Sequence, residues 1–190
     1  GCKTGWVAVV AEAGKPATAT LTHVADLAVF LAQVDFALVD MPVGFVPGPE
    51  GRDVEAAMRR FLKGKSASVF PTPCRAALAE FVYFDASFVN EQSLGKSLPK
   101  QTFMLFPKMR EIDALVRQIG QDRLREGHPE MSFAAMSGAP VLSKKREPSG
   151  QEERVVLLEK QGVSASALLG GLIRGKMAAD DILDAAALWW

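Results

Sequence analysis

The chain has 190 residues, 48% of them hydrophobic and 23% charged, with 22 basic side chains balancing 22 acidic ones. That is enough apolar material for a single soluble domain spanning 1–190 with a sizeable core. No apolar run approaches the ~20 residues of a membrane span and no basic-then-apolar leader opens the chain, so a cytoplasmic protein without membrane attachment is expected.

The balance is uneven along the sequence. Residues 1–50 carry two basic and five acidic side chains, residues 51–110 ten and five, and residues 111–190 ten and twelve. The middle third is therefore the basic one, a phosphate-facing surface if its cations converge and a solvated helix face otherwise. Cys2 and Cys74 form no metal-ligand spacing, and His23 and His128 are far apart, which argues against structural zinc.

Taken in order, the apolar run 6–10 and the Thr-alternating run 17–23 read as a β-hairpin around Gly14-Lys15-Pro16. Helical spacing follows over 26–33, with Leu27, Phe30 and Leu31 on one face. The run Phe36-Ala37-Leu38-Val39 reads as a strand buried on both faces, ending in Asp40-Met41-Pro42-Val43-Gly44. A carboxylate just past the carboxyl end of such a strand stands where open α/β sheets bind ligands, although an Asx turn would use the same residues.

A Pro- and Gly-rich loop over 45–51 leads to a helix over 53–62, acidic early and basic late as the helix dipole favours. Gly64-Lys65-Ser66 and Gly95-Lys96-Ser97 resemble the end of a phosphate loop, but the earlier glycine that the motif requires is Arg59 in one and Asn90 in the other. Helices are expected over 85–94 and 102–119, the second carrying Lys108 beside Glu111 and Arg110 beside Asp113, an arrangement that ordinary surface ion pairs or a functional role would equally explain. A short strand over 124–127 runs into His128-Pro129-Glu130 and a helix over 131–136. After the basic loop Ser143-Lys144-Lys145-Arg146, helices are expected over 151–161, 164–174 and 179–190.

In the last helix Asp180 reads as an N-cap, whereas Asp184 lies among Ile182, Leu183, Ala185, Ala186 and Ala187, where a charge is costly unless paired or bound to metal. Asp40, Glu130 and Asp184 thus come from a strand end, a strand-to-helix junction and a late helix. Brought together, they would need a cation between them, and all-oxygen ligands select Mg²⁺ or Mn²⁺.

The runs Gly1-Cys2-Lys3-Thr4-Gly5-Trp6, Val39-Asp40-Met41-Pro42-Val43-Gly44, Ser68-Val69-Phe70-Pro71, Lys100-Gln101-Thr102, Pro107-Lys108-Met109-Arg110-Glu111-Ile112-Asp113, His128-Pro129-Glu130, Ser143-Lys144-Lys145 and Asp184-Ala185 together resemble the signature set of the domain of unknown function 429 family. Members of that family are described as predicted nucleases of ribonuclease H-like fold. The resemblance implies an α/β fold with a mixed sheet flanked by helices and a helical insertion in mid-chain. It also implies Asp40 and Asp184 as metal ligands, Glu130 as a third catalytic acid, and Lys100, Lys108, Arg110, Lys144 and Lys145 as phosphate contacts. In the family pattern a first-strand Asp directly precedes the Gly-Cys motif, which places it just upstream of Gly1, and the apolar helical pattern is still running at Trp189-Trp190, so continuation at both ends is expected.

The expected function is metal-dependent phosphodiester hydrolysis of nucleic acid, RNA or DNA. Two alternatives use the same residues: a non-catalytic module binding nucleic acid or nucleotide through the basic segment, and a hydrolase of small phosphorylated molecules.

Overall fold

The computed structural model describes residues 1–2, 4–11 and 17–190. It is a mixed α/β structure with ten α-helices and two two-stranded sheets among those residues, and no helix in it is long and apolar enough to cross a membrane. The chain forms two compact units, one from residues 1–40 with 122–190, the other from residues 41–121.

In the first unit, β1 (Trp6–Val10) pairs antiparallel with β2 (Thr18–Thr22), Trp6 opposite Thr22 and Val10 opposite Thr18. Alternating Thr and apolar residues suit a ribbon with one covered face. The turn expected at 14–16 lies outside the described residues. After α1 (Val24–Leu31), β3 (Ala37–Val39) pairs in parallel with β4 (Leu124–Glu126). A strand buried on both faces was expected at β3, but only Val39 is buried, and Phe36 and Leu38 are 52% and 39% exposed. Phe36 is instead covered in part by the Arg125 guanidinium, 5.3 Å from its ring centroid. The single mixed sheet is likewise met only in part, since the described strands form an antiparallel ribbon and a parallel pair.

Four helices complete this unit: α7 (Pro129–Ser137), α8 (Pro148–Lys160), α9 (Ala165–Leu169) and α10 (Ala179–Trp189). Pro129 and Pro148 open α7 and α8, where a missing N–H costs nothing and φ is already set. The helix expected over 164–174 stops at Leu169 because Gly170-Gly171 follows, two residues that each cost a helix about 1 kcal/mol. Helix α10 packs against β1, β3, α7, α8 and α9, burying Ile182, Leu183, Ala186 and Ala187 with Phe133, Leu158 and Val163. Its seat depends on Gly127, where a Cβ would come 2.8 Å from Leu188 and 3.3 Å from Leu38.

The second unit is helical: α2 (Val54–Phe61), a 3-10 turn at Ser66–Ser68, α3 (Arg75–Ala79), α4 (Tyr83–Leu94), α5 (Lys100–Met104) and α6 (Phe106–Ile119). It accounts for the helical segment expected in mid-chain, and Phe45, Leu78, Ala86, Leu98, Phe106 and Met109 form its core. The continuous helix expected over 102–119 is two helices, broken at Leu105. Pro107 cannot donate to the Phe103 carbonyl, and its ring would clash there. The Gly-Lys-Ser runs follow the ends of α2 and α4, the first leading only into the 3-10 turn at Ser66–Ser68, and neither opens an α-helix, in keeping with their rejection as phosphate loops.

Candidate active site

Four elements of the first unit deliver one polar cluster. Asp40 follows the last residue of β3, Glu130 lies buried in the first turn of α7, Asp184 lies in the middle of α10, and Lys145 comes from the loop before α8. Lys145 Nζ lies 2.5 Å from Asp184 Oδ2. The second oxygen of that carboxylate, Oδ1, is buried and makes no hydrogen bond among the described residues.

Burial pushes the Asp184 carboxyl up to about 6; Lys145 pulls it down through charge and hydrogen bond, and the charges of Asp40 and Glu130 push it further up. Lys145 is desolvated too, which favours its neutral form, but Asp184, Asp40 and Asp180 outweigh this and hold its pKa above the ordinary lysine value. Asp40 and Glu130 therefore both act on the charge of Asp184, with the Lys145 ammonium beside it.

Glu130 is held differently. Arg154 of α8, fully buried, donates from Nη2 to both of its oxygens at 3.0 and 3.1 Å. From Nη1 the same guanidinium reaches the Gly150 carbonyl at 3.0 Å and Ser143, at 3.2 Å to Oγ and 3.4 Å to the backbone oxygen. It also lies over the Phe133 ring, 5.2 Å from the centroid.

Lys144, next to Lys145, points to solvent with 81% of its side chain exposed and pairs with Glu147 at 3.0 Å. The other three expected phosphate contacts belong to the second unit. Lys100 lies 5.6 Å from the centre of the Tyr83 ring. Lys108 pairs with Glu111 at 3.0 Å, as its spacing suggested. Arg110 does not pair with Asp113 but donates to the carbonyls of Leu78 and Glu80 at 2.7 and 2.6 Å and stacks on Phe81. Asp113 takes Arg75 and Arg117 instead.

Asp180 is not an N-cap: Ala178 holds that position, and Asp181 reaches back to its N–H at 2.8 Å. Asp180 is buried and 3.6 Å from Arg146. Arg154 escaped the sequence reading, although a pointer was there, since it stands four residues before Leu158 and so on the apolar face of α8.

The fold and cluster define an α/β protein with an acidic site at the end of a parallel strand pair. The sequence model of the family described as "Protein of unknown function (DUF429)" matches residues 1–190, and the chain belongs to that family. No curated protein and no solved structure matches it.

Proposed function

We propose that the protein is a divalent-metal-dependent phosphodiesterase acting on nucleic acid, with a fold of ribonuclease H-like type. The observation that carries this reading is the convergence of Asp40, Glu130 and Asp184, from three separate elements, in one electrostatic field with Lys145. A carboxylate past a parallel strand and another on a late helix packed over it suit that fold type.

Among the described residues no three His, Cys, Asp or Glu side chains are grouped to hold a metal. Asp40 and Asp184 nevertheless fit Mg²⁺ or Mn²⁺: the donors are hard oxygens, and Asp184 Oδ1 is buried without a hydrogen-bond partner. Mg²⁺ in phosphate chemistry commonly takes only one or two carboxylates, leaving the other positions to water and substrate oxygens. Such a cation supplies an acidified water and neutralises charge on the phosphoryl group.

The chain's own groups do the rest. Lys145, poised beside Asp184, offers its ammonium to a phosphate oxygen, and Lys144 adds charge at the rim. Glu130, with both oxygens taken by Arg154, adds its charge to the field at Asp184 and anchors α7 to α8. Non-catalytic binding through the basic segment is less favoured, because Arg75, Lys108 and Arg110 are engaged within their own unit. The test is Mn²⁺-dependent cleavage of labelled single- and double-stranded RNA and DNA. Asp40→Asn is expected to abolish it in a folded protein, and unchanged cleavage in that variant would overturn the assignment.

A further inference from the structure

Arg154 is the most deeply placed charge in the first unit, with no exposed surface, and burying a guanidinium–carboxylate pair is rarely the cheapest way to hold two helices together. Apolar residues of similar volume would pack α7 on α8 as well or better. What they could not do is reach the loop. Arg154 spends one nitrogen on Glu130 and the other on Ser143 and Gly150, so the residue that fixes α7 also fixes the segment ending in Lys145.

A second contact limits that segment independently. A Cβ on Gly150 would fall 2.1 Å from the Lys144 carbonyl oxygen, so the start of α8 lies directly against the loop backbone, and that oxygen also accepts from the Glu147 N–H at 3.0 Å. Ser143 and Lys144 are thereby held on either side, and Lys145 follows with its ammonium on Asp184.

We infer that Arg154 is a positioning residue for Lys145: it fastens Ser143 to Glu130 so that the lysine two residues on is presented to Asp184. Its importance for catalysis rests on the phosphodiesterase reading above, whereas the placement does not. The planar fork is what the task needs, since one guanidinium can bridge a carboxylate and a hydroxyl–carbonyl pair in fixed directions and an ammonium cannot.

The test compares amine acylation of Lys145 and Lys144 by mass spectrometry in the metal-free protein, Lys144 being an exposed internal standard. Ser143→Ala keeps the buried ion pair and is expected to raise the Lys145-to-Lys144 labelling ratio about 3-fold, the scale of one lost hydrogen bond. Arg154→Lys, which keeps the charge facing Glu130, is expected to do the same and serves if the first variant does not fold. An unchanged ratio in either folded variant overturns the proposal.

Where the protein cleaves nucleic acid, Ser143→Ala is further expected to lower kcat in the wild-type background and to have no effect beside Lys145→Met. Equal effects in both backgrounds would mean that Ser143 and Arg154 act on the fold alone. Absence of cleavage would contradict the proposed function and leave the labelling ratio to decide the placement.

Discussion

Arg154 and Glu130 form a two-point ion pair, 3.0 and 3.1 Å long, with the arginine wholly inaccessible to solvent. Breaking it from one side leaves the other charge buried and unpaired, which costs about 3–5 kcal/mol. Arg154→Met and Glu130→Gln are each expected to destabilise strongly in urea unfolding. The double variant Arg154→Met/Glu130→Leu is expected to lose much less than the sum, because no charge is then stranded.

Asp184 gives stability a pH dependence of opposite sign to that of an ordinary paired carboxylate. Its folded pKa, about 6, lies above the reference 3.8, so the fold holds the proton more tightly than the unfolded chain. The contribution is present at low pH, declines as pH rises from about 3.8 to about 6, and is flat above that. In chelator-treated protein, Asp184→Asn is expected to gain roughly 2–3 kcal/mol relative to wild type on going from acid to neutral pH. Parallel stability curves for the two proteins would contradict this.

Asp113 behaves in the usual sense. Burial would raise its pKa, but hydrogen bonds and charge from Arg75 and Arg117 outweigh that and hold it below the ordinary carboxylate value. The stabilisation is full above the unfolded pKa and is lost as pH falls through the lower, folded one. Arg117 is largely exposed, so Asp113→Asn is expected to cost no more than about 1 kcal/mol at neutral pH, less in high salt, with the difference vanishing in strong acid.

Gly150→Ala asks for space that the Lys144 carbonyl occupies. A backbone shift in the loop is expected, with a loss of about 1–3 kcal/mol by thermal unfolding.

Much of this was legible in sequence because it depends on local chemistry. The hairpin strands, α2, α4 and α8 announced themselves by alternation, capping charge and period, and Asp184 stood out as an acid in an apolar run. The break at Leu105 was readable too, had Pro107 been given its cost to the Phe103 carbonyl. Other features were not local. The exposure of Phe36 and Leu38 depends on what covers a strand pair, and the partners of Arg110, like Arg75 on Asp113, come from α3 and its end rather than from α6. Arg154 illustrates the limit best: its partners lie 24 and 11 residues away, and no spacing rule connects them.

The central claim is that Asp40 and Asp184 form one cation site, and calorimetric titration of Mn²⁺ into the wild-type chain and into Asp40→Ala and Asp184→Ala tests it most directly. The expected result is saturable binding to the wild type that disappears in both folded variants. Absence of binding to the wild type, or its survival in either variant, would contradict the claim and leave the acidic cluster a structural feature held by Lys145.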